Sequence, residues 1–371
     1  MSMQASEEDK KAFRDFYESS RTCLAKRIGE WNCANAQDPQ PLLASFTEAF
    51  ADLNSGGKLL RGMLVHLGAH LAGMEDLSEG DGLALAFEIF QTAVLIHDDI
   101  IDHATIRRGK ACVHKRYERS LNERGIRDRA GDTPSSAALC TGDLGLYLAN
   151  LAIAEAYASH PRLPAVLAYF DRVVLDTIRG ELLDVILPCE WTDPSLSDED
   201  RAKLLSSSVS EIYYLKTAQY STVGPTHAGM ILAGAEEELL RDVDGLMTYL
   251  GEMFQIRDDV LGIFASGDVM GKDAAGDIAE GKLTILFQYV QAHSPQHTAE
   301  LEKYYGTGRV TAAEIAAVQR IFRESGALAH AMSRAQELSD SAAEIIDRMH
   351  VTEEDRKILR GLLDYLESRT H

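Results

Sequence analysis

From Lys58 to Gly73, the apolar residues Leu60, Met63, Leu64, Leu67 and Leu71 recur at three- and four-residue spacing. They form one face of a helix that stops on glycine. Near the start, Phe13, Phe16, Tyr17, Leu24 and Ile28 repeat the pattern behind Ser6, a residue suited to cap a helix. The same spacing predicts long helices over roughly 134–159, 165–187, 197–223, 235–264, 311–323 and 327–349. A further apolar run, Leu83 to Ile96, is broken only by Glu88, Gln91 and Thr92. No alternating run marks a strand, and there is no heptad array or fixed-period repeat. Residues 1–10 are expected to be disordered, and the charged stretch 117–136 to be a surface loop. The reading is a single all-α domain over 1–371.

Composition narrows the possible partners. With 371 residues, 45% of them hydrophobic, the chain can bury a large core. A formal charge of −21 disfavours nucleic acid or an anionic membrane as partner. Cys23, Cys33, Cys112, Cys140 and Cys189 are scattered and form no C-x-x-C pair, which points to reduced thiols in a cytoplasmic protein. The polar N-terminus shows no signal or transit segment. No unbroken apolar run reaches the ~20 residues of a membrane span.

The end of the buried run carries the chemistry. In Leu95-Ile96-His97-Asp98-Asp99-Ile100-Ile101-Asp102, Asp98 and Asp102 stand one above the other on a helix, and Asp99 lies about 100° round. Stacked carboxylates repel unless a cation sits between them, and Mg²⁺ is the simplest candidate. A solvated acidic helix end would leave the same trace. A second pair, Asp258-Asp259, follows another apolar stretch in Phe254-Gln255-Ile256-Arg257-Asp258-Asp259. On antiparallel helices two such clusters would face each other across a cavity and hold several Mg²⁺ ions. Mg²⁺ bound by few carboxylates completes its shell with water and phosphate, so the expected ligand is a phosphate or diphosphate.

An acidic chain that binds diphosphate must place its cations locally. Gly56-Gly57-Lys58-Leu59-Leu60-Arg61 opens a helix with Lys and Arg three apart, beside amides that favour anions. Arg107-Arg108-Gly109 follows the first acidic cluster, and Lys216-Thr217, Lys272 and Lys282 supply further groups. Any one of these alone reads as ordinary surface; their joint occurrence beside two Asp pairs does not.

With GGKLLR, LIHDDIID, RRGK, TGD, KTAQYSTVGP, FQIRDD and GDIAEGKLT in this order, the chain from about Lys58 onward resembles the trans-type isoprenyl diphosphate synthases. Within that family it looks most like a bacterial geranylgeranyl diphosphate synthase. The resemblance implies an all-α isoprenoid synthase-type bundle of long helices around a deep central cavity. It also implies a homodimer and about three Mg²⁺ ions per active site. By match of motif, Lys58, Arg61, Gln91 and Arg108 would hold isopentenyl diphosphate. Asp98, Asp102 and Asp258 would bind metal, with Asp99 and Asp259 in support. Arg107, Lys216, Gln255, Lys272 and Lys282 would grip an allylic diphosphate, and Thr217 would lie against its C1. Lys216, Thr217, Gln255 and Arg107 are the expected catalytic residues. On the helix before Asp98, Ala93, Val94, Phe90 and Phe87 would set product length, favouring a C20 product with C25 next.

The chain departs from the family pattern at three places. The usual Lys-Arg-x-Arg-Pro is reduced to Lys58-Leu59-Leu60-Arg61-Gly62, and Gly62 is expected to loosen the helix start. The second cluster ends on Gly262 rather than Asp, and Asp273 replaces a common proline. A terpene cyclase would have no use for Lys58, Arg61 and Arg108. A His-Asp phosphohydrolase built on His97-Asp98 with His66 or His70 would leave the second cluster unexplained. A non-catalytic partner subunit would be expected to lose one cluster or its basic anchors. No Ser-His-Asp arrangement stands out.

Overall fold

The computed structural model describes residues 5–128, 131–264 and 275–368. In order, the helices are α1 (Glu7–Asn35), α2 (Pro41–Asn54), α3 (Leu60–Leu71), α4 (Asp81–Ile101), α5 (Val113–Glu123), α6 (Thr133–Ala156), α7 (Leu163–Trp191) and α8 (Asp198–Ile212). A π-helix, Tyr213–Val223, continues α8 and leads into α9 (Gly224–Ala233) and α10 (Glu237–Phe264). There follow α11 (Ala275–Glu280), α12 (Ile285–His293), α13 (Pro295–Leu301), α14 (Ala312–Glu324), α15 (Ala327–Arg348) and α16 (Glu353–Glu367). Among the described residues the only strands are β1 (Ile106–Arg107) and β2 (Lys110–Ala111), an antiparallel pair. They are too short to show alternation in the sequence. Arg108 and Gly109 turn between them with φ of 52° and 74°, the left-handed pair a two-residue hairpin needs.

Two expectations differ from the structure. Residues 5–10 are ordered: Ser6 and Asp9 exchange hydrogen bonds of 2.8 and 3.2 Å that cap α1. Most of the loop expected over 117–136 is helix, because α5 runs to Glu123 and α6 starts at Thr133. By its contacts the chain groups into two compact units. One comprises Asp15–Asp171 with Pro225–Ala235, and the other Met1–Arg14, Arg172–Gly224 and Glu236–His371. Two of these boundaries fall inside α1 and α7, so no linker composition marks them.

In the first unit, α4 packs along α6 and α3 packs on α4. The α3 and α9 backbones meet at glycines. A Cβ on Gly68 would lie 1.9 Å from the Thr226 carbonyl oxygen, and one on Gly229 would lie 2.0 Å from that of Val65. Phe87 and Phe90 meet Phe170 edge-on at ring distances of 5.2 and 5.7 Å. By length and composition α6 is apolar enough to cross a bilayer, which a search for unbroken apolar runs does not reveal. One of its sides lies on α4, while Leu139, Leu144, Tyr147 and Leu151 are exposed.

In the second unit, α10 packs against the π-helix and α15. Capping boxes start α14 at Thr311 and α16 at Thr352, where each threonine and the acid three residues on bond each other's backbone. The sequence reading missed α16, although Ile358, Leu359, Leu362, Leu363 and Leu366 are buried at helical spacing. Trp191, Phe287, Tyr305 and Phe322 form a linked aromatic cluster.

Candidate active site

The two acidic clusters lie in different units. In the first unit, α4 presents a stripe of partly exposed residues, Gln91, Val94, Leu95, Asp98 and Asp102, between buried neighbours. Apolar side chains thus grade into carboxylates along one helix face. Ala93, Phe90 and Phe87 are fully buried instead. Ala93 lies against α6 and α2, since a Cβ on Gly145 would sit 2.8 Å from Ala93 Cβ and 2.5 Å from Phe50.

Arg107 reaches back from β1 and bridges the cluster. Its Nη2 donates to Asp98 at 2.7 Å and its Nε donates to Asp99 at 2.6 Å. Burial works against the guanidinium charge, but Asp98 and Asp99 outweigh it and raise its pKa. Asp99 is 1% exposed, and burial pushes its carboxyl pKa up against the pull of Arg107. Burial, with Asp99 beside it, likewise pushes the Cys112 thiol up to about 12. Arg107, Asp99 and Cys112 line a small cavity of about 130 Å³ with Asp52, Arg108 and Arg116.

Arg108 points elsewhere, donating from Nη1 to the carbonyls of Leu53 and Gly56, both at 2.6 Å. Lys58 stands before α3, not on it. Leu59 has φ 54°, and the Lys58 carbonyl accepts from Tyr17 Oη at 2.5 Å. Gly62 does not loosen α3. Its N–H donates to Glu88 Oε1 at 2.8 Å, and a Cβ there would lie 2.1 Å from Leu24 Cδ2 and 3.2 Å from the Ala84 carbonyl oxygen. Glu88 is buried between elements that carry Arg61 and Arg108. Burial raises its pKa, while Gly62 and the two arginines oppose the shift.

His97 packs on α6, with Nε2 3.1 Å from the Leu139 carbonyl and 3.4 Å from Asp143. Ser20, His66 and Asp81 do lie in a row, although only Ser20 and His66 are hydrogen-bonded. Ser20 Oγ lies 2.7 Å from His66 Nδ1, and His66 Nε2 lies 3.1 Å from Asp81. Ser20 is only 3% exposed, so this row ties α1, α3 and α4 together and offers no nucleophile to a substrate.

In the second unit, Lys216 and Thr217 sit on the π-helix, a geometry that often marks functional positions. Lys216 Nζ pairs with Glu181 at 2.9 Å and Asp184 at 2.5 Å, both on α7. A Cβ on Gly180 would lie 2.4 Å from Lys216 N, so glycine lets the helices approach. Thr217 Oγ1 donates to Gln255 Oε1, and Gln255 Nε2 donates to Asp259 Oδ1 at 2.7 Å. Tyr213 Oη donates to Asp259 Oδ2 and accepts from the Ile285 N–H at 3.1 Å. Burial raises the Asp259 pKa to about 7, and the Tyr213 and Gln255 hydrogen bonds limit the rise. Asp258 is partly exposed beside it. Lys282 lies 3.4 Å from both Asp277 and Glu280, and Lys272 falls outside the described residues. A Cβ on Gly262 would lie 2.2 Å from Asp277 Oδ2, so the space of the missing third Asp is taken by Asp277.

Among the described residues, no three acidic, histidine or cysteine side chains converge closely enough to hold an ion unaided. Sequence reasoning missed Tyr213, Glu181, Asp184 and Asp277. Glu88 was visible as the one charge inside the run from Leu83 to Ile96.

Comparison with known proteins identifies the family. The polyprenyl synthetase family model matches residues 43–322. Geranylfarnesyl diphosphate synthase of Aeropyrum pernix is 28% identical over 320 residues, covering 85% of this chain and 92% of its own. Octaprenyl diphosphate synthase of Haemophilus influenzae is 26% identical over 325 residues, covering 87% of both chains. The structure of geranylgeranyl pyrophosphate synthase from Corynebacterium glutamicum, complexed with isoprenyl diphosphate and magnesium, superposes with a TM-score of 0.83. It is 25% identical and covers 96% of this chain and 99% of that one. The chain belongs to the polyprenyl synthetase family of prenyltransferases.

Proposed function

We propose that the enzyme condenses isopentenyl diphosphate with an allylic diphosphate in a Mg²⁺-dependent reaction, yielding geranylgeranyl diphosphate, with C25 as the next product. The graded face of α4 carries this reading: Asp98 and Asp102 suit a charged head, and Leu95 and Val94 suit the hydrocarbon behind it. Bound Mg²⁺ would neutralise the departing diphosphate, with Asp98, Asp102 and Asp258 as its ligands. Arg107, bonded to Asp98 and Asp99, would offer its charge to that diphosphate. Lys216, fixed by Glu181 and Asp184, supports the same leaving group. Thr217 and Gln255 offer oxygen dipoles to the allylic cation. Arg61, Lys58, Gln91 and Arg108 would hold isopentenyl diphosphate, whose double bond attacks C1. The released diphosphate is the base that takes the proton.

Phe87 and Phe90 are fully buried against Phe170, so the C20 reading draws its support from the family resemblance. The relatives' names range from geranylgeranyl to octaprenyl, so product identity rests on assay. The exposed apolar side of α6 supports a homodimer, and five free cysteines support a cytoplasmic location. The decisive experiment incubates the protein with Mg²⁺, isopentenyl diphosphate and each allylic starter, then measures product length by mass spectrometry. No prenyl product from any starter would refute the reading.

A further inference from the structure

The hydrogen bonds around Asp259 run in one direction only. Both carboxylate oxygens of Asp259 accept, one from Tyr213 and one from Gln255. Asp259 Oδ1 therefore takes the amide NH₂ of Gln255, at 2.7 Å, and turns the Gln255 carbonyl toward Thr217. The Thr217 hydroxyl must then donate its proton to Gln255, which leaves its oxygen lone pairs free to face elsewhere. The other end of the chain is fixed as well. Tyr213 accepts the Ile285 N–H at 3.1 Å and gives its own proton to Asp259 Oδ2. Four side chains from the π-helix and α10 are thus tied to a backbone amide at the start of α12. Asp259 and Thr217 are 7% and 5% exposed, so water competes little for these bonds.

We propose that Asp259 is a positioning residue and not a metal ligand, and that Tyr213 and Asp259 together set the polarity of the Gln255–Thr217 pair. In that polarity Thr217 presents an acceptor oxygen to the carbon that becomes positive when diphosphate leaves. The opposite polarity would present a hydroxyl proton and oppose the developing charge. The inference rests on the prenyl-transfer reading for its catalytic half, and on hydrogen-bond chemistry alone for its metal half.

The substitution Asp259→Asn tests both. Asparagine offers one acceptor and one donor. Its oxygen takes the Tyr213 proton, so its NH₂ faces Gln255, the Gln255 amide flips, and Thr217 becomes the acceptor. The expected result is a fall in kcat of about tenfold or more with KM for both substrates little changed. Tyr213→Phe leaves the carboxylate accepting from Gln255 and removes only the bond that fixes Asp259, so it should lower kcat more weakly, through looser placement of the pair. In a Thr217→Val background, Asp259→Asn should cause no further loss, because the group it reorients is gone. Metal binding is read separately, by titrating Mn²⁺ with inorganic diphosphate and following the electron paramagnetic resonance of free Mn²⁺. Asp258→Asn should lose a site, and Asp259→Asn and Tyr213→Phe should keep it.

Loss of Mn²⁺ binding in Asp259→Asn equal to that in Asp258→Asn would overturn the proposal. Additive losses in the Thr217→Val double variant would do the same. If Asp259→Asn does not fold by circular dichroism, Tyr213→Phe carries the same comparisons. The Mn²⁺ titration needs no prenyl transfer, so failure of the substrate reading and failure of this one are told apart.

Discussion

Replacing Gly62 with proline, the residue common at this place in the family, should damage this protein. Position 62 is the third residue of α3, where an N–H has no partner inside the helix and proline is normally tolerated. Here that N–H is used. It donates to buried Glu88 at 2.8 Å, and removing it leaves a carboxylate short of a donor, a loss of about 1–3 kcal/mol. The ring also needs space that does not exist, because a Cβ would lie 2.1 Å from Leu24 Cδ2. Overpacking of this kind costs about 1–3 kcal/mol. Reduced freedom of the unfolded chain returns only about 0.4–1 kcal/mol. The expected net loss is about 1–5 kcal/mol, seen as a lower urea midpoint. Gly62→Ala should lose less, because it keeps the N–H, and Leu24→Ala should recover part of the loss by making room. A Gly62→Pro protein as stable as the parent would refute both the Glu88 bond and the packing argument.

Asp98→Ala and Asp258→Ala should each abolish prenyl transfer, as followed by radiolabelled product formation. In the absence of metal, Asp98→Ala should also lower the melting temperature by a few degrees, because it removes half of the Arg107 bridge; a rise would mean that carboxylate repulsion dominates. Glu88→Gln should raise stability at neutral pH. A carboxyl whose folded pKa is raised loses stability as pH climbs from its unfolded value near 4.3, and glutamine removes that slope while still accepting from Gly62. Arg61→Ala should raise KM for isopentenyl diphosphate far more than for the allylic substrate, whereas Lys216→Ala should mainly lower kcat in steady-state assays. Ala93→Tyr should shorten the product and Phe90→Ala lengthen it; unchanged lengths by mass spectrometry would remove this helix from the ruler.

The helices that bury a continuous face could be read from spacing alone, and α3, α10, α14 and α15 start and stop within a few residues of expectation. The Asp, Lys and Arg motifs were equally legible, because few other arrangements use them. Partnership was not. Arg107 and Arg108 are neighbours in the chain, yet one bridges Asp98 and Asp99 and the other caps the carbonyls ending α2. Only the hairpin between them decides that. Gly62 looked like a weakened helix start because its contacts, Leu24 and Glu88, come from other helices. Tyr213 was not singled out, since nothing local reveals that its hydroxyl meets a carboxylate 46 positions away.

The two-residue turn at Arg108-Gly109 has a consequence for how this enzyme can change. Adjacent arginines are dispatched to separate destinations by a change of backbone hand, with no spacer between them. A single inserted or deleted residue in this turn would shift its register and disturb both contacts at once. Drift here is therefore confined to side-chain replacement, and even that is narrow. Lysine has no fork to span Asp98 and Asp99 at once, and it cannot lay a plane across Gly56 and Gly57 as Arg108 does.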